Sequence, residues 1–330
     1  MPKRISWKKG MRLTDEVLRA SDACASEYIG KALLVAAGGR FGLLPASKPF
    51  SVQLSITKGF VDLEALDCLA VTKGGFLIDA HFDTKFTNTF DGRVQIPDDP
   101  DAKEYFLTVN ANPDDWRETA EGYEEQNYTF ALVNDKSALS EFAMPIARII
   151  NENGWREDTA YFVPPCINIA AHSKFEELRS QFVGLLQNIE QSTREQLETG
   201  ARTAISLYWP TVLHELITAS TEHEGMSPQQ LMASVQKVVG AFTLACDFDE
   251  ALNLEEANTF RNYAHTAYNY RIAYQRIKQG LGMCYAINEK IGRFSLLKKE
   301  EPKPVPPPAP EPIPEPVVPA PRRSWNGKQI

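Results

Sequence analysis

Between Tyr161 and Val183 the sequence YFVPPCINIAAHSKFEELRSQFV changes its periodicity. Upstream, apolar residues come in short runs that alternate with polar ones. Downstream they recur every three or four positions. Tyr161-Phe162-Val163 predicts a short strand, because β-branched and aromatic side chains suit a pleated, half-buried surface. Pro164-Pro165 cannot donate ladder hydrogen bonds and ends that strand or confines it to an edge. Ile167-Asn168-Ile169 resumes the alternation for one step. Ser173 then opens a helix, with Glu176 at capping-box spacing and Phe175, Leu178, Phe182 and Leu185 repeating behind it. One such switch in a chain predicts an α+β protein in which a β-sandwich domain, preceded by a helix, is joined in series to a helical bundle.

The upstream half supports this. Thr14 is an N-cap for a helix with Asp15 and Glu16 in its first turn. Val17, Leu18, Ala25, Tyr28, Ile29 and Leu33 continue it, Gly30 weakens it and Gly38-Gly39 stops it. FSVQLSI at residues 50–56 alternates with period two. Residues 65–72 and 76–78 flank Lys73-Gly74-Gly75 as a hairpin. Short strands follow at 94–96, 105–110, 128–133, 142–150 and 161–163, spaced as in a sandwich or open barrel. These elements place a first domain at residues 1–165.

The second domain is expected over 166–297 as four helical segments. One runs from Ser173 to about residue 199. Another carries Leu207, Val212, Leu213, Leu216 and Ile217, with Pro210 kinking or breaking it. A third begins at Ser227-Pro228-Gln229-Gln230, an N-cap, an N1 proline and a capping glutamine. The last begins near Asn253, with Glu256 at N3, and runs through Phe260, Tyr263, Ala267, Tyr270 and Tyr274 to Gly280 or Gly282. Its tyrosines form an aromatic strip suited to a core or a subunit interface. Residues 298–330 hold PKPVPPPAPEPIPEPVVPAP, which has too little apolar material to build a core and is expected to be a disordered, extended tether. Its tip, Arg322-Arg323-Ser324-Trp325, is basic and aromatic and is a candidate docking peptide.

A net charge of −8 argues against a sequence-independent nucleic-acid binder. Five widely spaced cysteines, Cys24, Cys68, Cys166, Cys246 and Cys284, give neither a disulfide framework nor a zinc site. No apolar run reaches membrane-spanning length, and the basic N-terminus lacks a signal-peptide core, so the expected location is cytoplasmic. No nucleotide-binding glycine loop and no GxSxG is present. His214-Glu215 begins like a zinc-protease helix, but Thr218 stands where the second histidine belongs. His81, His172, His223 and His265 have no partner at ligand spacing. Asp98-Asp99-Pro100-Asp101 lacks calcium-loop spacing and reads as a solvated turn. These patterns predict no catalytic residue, no metal and no cofactor, hence a non-enzymatic protein.

Three stretches resemble a known family. Trp7-x-x-Gly10-Met11-x-Leu13 is similar to the opening W-x-x-G-M-x-L of TssK, the baseplate subunit of type VI secretion systems, although Thr14-Asp15-Glu16-Val17-Leu18 replaces the usual Pro-Gln-His helix start. Met144-Pro145-Ile146-Ala147-Arg148 followed by Phe162-Val163-Pro164-Pro165-Cys166-Ile167-Asn168-Ile169 is similar to the family's strand pair ending in a Pro-Pro step. Ser227-Pro228-Gln229-Gln230-Leu231-Met232 with Val239-Gly240-Ala241-Phe242-Thr243-Leu244 is similar to its P-x-x-L-Y helix and G-x-L-x-x-F continuation. The resemblance spans roughly residues 5–295.

It implies a cytoplasmic homotrimer, peripheral to the inner membrane when assembled. A β-sandwich shell would hold wedge proteins resembling TssF and TssG, with Trp7, Gly10, Met11 and Leu13 as candidate contacts. The helical domain would build the trimer, with Phe260, Tyr263, Tyr270 and Tyr274 as candidates. Where the resemblance leads one to expect the start of the family's third domain, which binds the membrane complex, the proline-rich tail begins; either the tail takes over that role or the system uses a different anchor, and Arg322, Arg323 and Trp325 are candidates for docking an anchoring partner. A phage-like tail protein and a carbohydrate-binding β-sandwich are the alternative readings.

Overall fold

The computed structural model describes residues 8–57, 59–83, 92–99, 102–118, 124–134, 138–198, 205–222, 225–248 and 257–297. Trp7, the Asn253–Glu256 helix start and the whole tail with Arg322, Arg323 and Trp325 lie outside the described residues.

Helix α1 spans Asp15–Ala36. Thr14 caps it by accepting from the Val17 amide through Oγ1 at 3.4 Å. Gly38 and Gly39 end it in left-handed conformation, with Gly39 N donating to Leu34 O at 2.8 Å. Gly30, a weak point for helix propensity, is where α1 meets the rest of the protein. A Cβ there would lie 2.5 Å from the Gly75 carbonyl oxygen, so glycine is required for the close approach.

Sheet 1 contains β1 (Gly42–Leu43), β2 (Ser51–Thr57), β3 (Phe60–Val71), β4 (Leu77–Asp83) and β5 (Arg93–Gln95), all antiparallel. The long strand β3 is its spine, with β2 and β1 on one edge and β5 and β4 on the other. Pairing steps from Leu54↔Leu63 to Gln53↔Ala65, which leaves Glu64 as a bulge. The bulge shifts the buried set from odd positions, Val61 and Leu63, to even ones, Leu66, Cys68 and Ala70. The Thr72–Gly75 turn closes β3 onto β4 as predicted, with Gly75 N donating to Thr72 O at 3.0 Å.

Sheet 2 contains β6 (Glu104–Glu118), β7 (Glu124–Asn134), β8 (Ala143–Asn151) and β9 (Trp155–Glu157), in the order β7-β6-β8-β9. The sheets pack face to face through one core that includes Leu66, Ile78, Leu107, Val109 and Ile146. Asp79 N donates to Tyr128 Oη across the interface at 3.0 Å, and Phe82 meets Phe130 edge-on at 5.8 Å.

The junction departs from expectation in detail. Residues 161–163 are not a strand. Asp158 Oδ1 accepts from the Ala160 and Tyr161 amides at 3.2 and 3.0 Å, which turns the chain before a strand can form. Phe162 then covers Phe106 on the outer face of sheet 2, ring centroids 5.6 Å apart. Beneath this turn the Arg148–Asp158 ion pair is buried, with Arg148 Nε to Asp158 Oδ2 at 2.8 Å. Pro164-Pro165 leads to a parallel bridge: Leu43 N donates to Pro165 O at 2.7 Å, and Ile167 N to Leu43 O at 3.0 Å. Gly42, at φ +133°, permits this approach, since a Cβ would overlap the Pro165 carbonyl. A 3-10 turn at Ile169–Ala171 follows, and Ile169 N donates to Met226 O at 2.8 Å.

Helix α2 (Ser173–Glu198) starts where the sequence predicts, but His172 caps it: its Nδ1 accepts from the Lys174 amide at 3.2 Å. Helices α3 (Ile205–Thr221), α4 (Pro228–Phe248), α5 (Ala257–Ala264) and α6 (Ala273–Leu297) complete the helical region. Helices α2, α3, α4 and α6 form a ring in which each packs on the next, and α5 packs on α4. Helix α3 runs on through Pro210. The Ser227–Gln230 capping box forms in both directions, Gln230 N to Ser227 Oγ at 3.2 Å and Ser227 N to Gln230 Oε1 at 2.8 Å. The single fourth helix expected through Tyr263 and Tyr274 is instead two. Gln236 donates to the Tyr263 and Thr266 carbonyls at 3.0 and 2.7 Å, satisfying the end of α5, and Asn269 caps the 3-10 turn at Tyr270–Ile272. Nor does α6 stop at Gly280. That glycine is a notch for the Tyr263 ring, where a Cβ would also lie 2.5 Å from Val235 Cγ1.

Candidate interaction surfaces

Helix α1 buries few of its side chains against the rest of the protein. Gly30 is its one buried residue. Leu33 and Leu34 pack beside it in a small cluster with Ala37, Val71 and Ile167. N-terminal to Gly30 the apolar side chains meet solvent: Leu18 is 47% exposed, Tyr28 51% and Ile29 57%, and Val35 beyond it is 81% exposed. An isolated helix of this length is marginal in water, so such a face implies a covering partner. Met11 and Leu13, singled out in the sequence, are exposed just before this helix. Gly10 sits in a turn at φ +83°, closed by Met11 N donating to Lys8 O at 3.1 Å. Three of the four N-terminal candidates therefore lead into α1 rather than onto a sheet.

The bundle candidates are placed differently. Phe260, Tyr263 and Tyr274 are buried within the protein's own core. Tyr263 fills the Gly280 notch, and Tyr274 meets Phe175 edge-on at 6.1 Å. Tyr270 is half-buried against Phe41 at 5.0 Å. Rings that close a core leave little surface for a second copy. Among the described residues, the large exposed apolar side chains of the bundle are Leu244 and Phe248 on α4, 59% and 73% exposed, with Ile217 on α3 and Tyr285 on α6. The sequence signal was available: α4 carries more apolar positions than one buried face requires. It is also the one described helix long and apolar enough to cross a membrane, yet it lies in the bundle with half of that window buried.

Polar clusters are structural in form. On the outer face of sheet 1, Asp67 accepts from Lys48, from Ser51 Oγ at 3.1 Å and faces His81 Nδ1 at 2.9 Å, while His81 Nε2 lies 2.8 Å from Asp79. Burial pushes the Asp67 carboxyl up, but Lys48, His81 and Ser51 together outweigh it and hold the group below its ordinary value. Ser51 bonds the carboxylate and not the imidazole, so the cluster is not a nucleophile–base pair. Burial, with the nearby Lys174 ammonium, lowers the His172 pKa to about 4, which suits its role as a neutral acceptor at the helix cap. The Cys68 and Cys284 thiols are pushed up to about 12, chiefly by burial, and are inert. Among the described residues no group of three or more His, Cys, Asp or Glu could hold a metal ion.

Two clefts lie at the junction. One of about 150 Å³ is bordered by Lys48, Phe50, His172 and Glu176. The other, about 330 Å³, lies where the end of α1, the β3–β4 turn, the Pro165–Cys166 linker and the start of α4 converge. Tyr270 and Phe41 form its aromatic wall, and the Lys73 ammonium sits 5.2 Å from the Phe41 ring and 5.4 Å from that of Tyr270.

No family model matches the sequence, and no curated protein does. Solved structures do. A TssK crystal structure aligns with a TM-score of 0.57 at 14% identity, covering 87% of this chain and 69% of that one. TssK of the EAEC type VI secretion system, solved with a nanobody, aligns at 0.54 and 12% identity over 82% and 68% of the two chains. A chain of the type VI secretion TssK-TssF-TssG baseplate subcomplex aligns at 0.52 and 13% identity over 88% and 99%. At such identities the likeness is one of architecture alone, and the fold is TssK-like.

Proposed function

We propose that this protein is a structural, non-enzymatic subunit of a type VI secretion baseplate: a homotrimer that joins wedge proteins resembling TssF and TssG to an anchoring component at the inner membrane. The observation that carries the reading is fold likeness over nearly the whole described chain, to TssK alone and to a chain of the baseplate subcomplex. Two exposed apolar surfaces support it, because each has the character of an interface and neither of a catalytic cleft. The division of labour follows the sequence, with a shell over 1–165, a bundle over 166–297 and a tail over 298–330. Met11, Leu13 and the Leu18, Tyr28 and Ile29 side of α1 would face the wedge, with Trp7 and Gly10 at its edge. Leu244 and Phe248 would face the neighbouring copies, with Phe260, Tyr263 and Tyr274 held in the bundle core behind that region, while Tyr270 lies apart, in the cleft at the start of α4. The tip Arg322, Arg323 and Trp325 would reach the anchoring partner.

Co-expression with TssF- and TssG-like proteins encoded in the same genome tests the wedge surface. The wild-type protein should co-purify with them. A Leu18→Asp/Ile29→Asp variant should lose them while unfolding at the same temperature, since both side chains are exposed. Equal recovery of the wedge proteins with that variant would remove α1 from the interface.

A further inference from the structure

The 330 Å³ cleft at the foot of α4 has a chemistry that the baseplate role leaves unused. Phe41, Tyr268 and Tyr270 line it with aromatic faces, and Pro165 and Pro228 add rigid apolar walls. Arg40 and Lys73 stand at its border, and among the described residues no aspartate or glutamate lines it. Arg40 donates to the Ala37 carbonyl at 2.7 Å and to Gln230 at 3.4 Å; Lys73 rests on two rings. Neither cation has a carboxylate partner among the described residues. In a protein of net charge −8 this is a local positive site built over aromatic rings.

Aromatic grooves of this kind recognise extended proline-rich chains, whose polyproline II form costs little entropy to bind. The protein carries such a chain, and its charge is the complement of the cleft. Pro310-Glu311-Pro312-Ile313-Pro314-Glu315-Pro316 sets two carboxylates among four prolines and one isoleucine. We propose that this segment docks in the cleft of its own chain, with Glu311 and Glu315 facing Arg40 and Lys73 and the prolines lying on Tyr268 and Tyr270.

The reach is sufficient. Tyr270 immediately precedes α6, whose 25 residues span about 37 Å. Glu311 follows Leu297, the last residue of α6, by fourteen positions. In polyproline II form these cover about 43 Å, enough to run back along α6. Tethering makes the docking intramolecular, so even a weak peptide site fills. Anchored at Glu315, the chain has only Pro316 to Pro321 before Arg322, which fixes where the basic tip emerges.

The test uses the full-length chain with benzoylphenylalanine, a photo-cross-linker, at position 313. The expected product joins that position to peptides holding Tyr268, Tyr270 or Gln229 of the same chain. A Glu311→Lys/Glu315→Lys variant, which alters nothing in the described fold, should lower the yield by roughly five- to tenfold, as loss of two exposed ion pairs implies. Adding Arg40→Glu/Lys73→Glu should restore it. Cross-links scattered over the surface, or a yield indifferent to charge reversal, would overturn the proposal. Mixing isotopically light and heavy protein separates the two possible sources of the segment. Cleft cross-links found mainly between a light and a heavy chain would refute docking in the same chain.

Discussion

Replacing Asp158 by alanine removes one half of a buried ion pair and, with it, the turn that ends sheet 2. Arg148, itself buried, is left with only Glu104, 3.6 Å away and part-exposed, to answer its charge. Breaking a buried pair from one side costs about 3–5 kcal/mol. The Ala160 and Tyr161 amides lose their acceptor as well, at about 0.5–1.5 kcal/mol each when water does not replace it. A loss of roughly 4–8 kcal/mol follows, a large share of the typical 5–15 kcal/mol of a folded domain. Urea denaturation of the wild-type and variant proteins measures it. With an m-value near 3 kcal/mol/M, the midpoint should fall by about 1.3–2.7 M. The counterpart is Arg148→Met/Asp158→Leu, which removes both charges and should unfold within about 2 kcal/mol of wild type. A single Asp158→Ala variant losing less than 1 kcal/mol, or a double variant as unstable as the single, would refute this account of the junction.

Three further outcomes follow from the same structure. His172 is neutral and accepting in the folded protein, with a pKa near 4 against about 6.5 unfolded. The unfolded chain therefore takes up the proton first, so this contribution is complete above pH 6.5 and is lost as pH falls from 6.5 towards 4, by about 2–3 kcal/mol; His172→Gln should flatten that part of the stability–pH curve. Gly280→Ala should cost about 1–3 kcal/mol in urea denaturation, because the new methyl group meets the Tyr263 ring and Val235. Leu244→Asp/Phe248→Asp should shift the sedimenting species from trimer towards monomer with little change in the monomer's own unfolding, whereas Tyr263→Asp should unfold the chain, since its ring is in the core.

The architecture was readable because its signals are local. Thr14, Gly38-Gly39 and Ser227-Pro228-Gln229-Gln230 cap helices through neighbouring backbone groups, and each does so in the structure. Long-range partners set what the sequence misassigned. Phe162 has strand propensity, but Asp158 bends the chain and Phe106 takes the ring. Gly280 has the signature of a helix stop, but Tyr263 from α5 fills the space its missing side chain leaves. Glu64 gives no local warning that it is a bulge; only the parity change of the buried residues around it shows the register step. The tyrosine strip illustrates the limit for function. Periodicity shows that a face is apolar, and which of two partners covers it is decided by packing between elements distant in sequence. For Tyr263 and Tyr274 that partner is the chain itself; for Leu18, Tyr28 and Ile29 on α1 none of the described residues supplies one.

The baseplate assignment is tested most directly by affinity purification of the tagged full-length protein from its native cells, followed by mass measurement of the intact complex. A trimer of this chain carrying proteins similar to TssF and TssG is the predicted result. Recovery of the chain as a monomer without such partners would contradict the assignment.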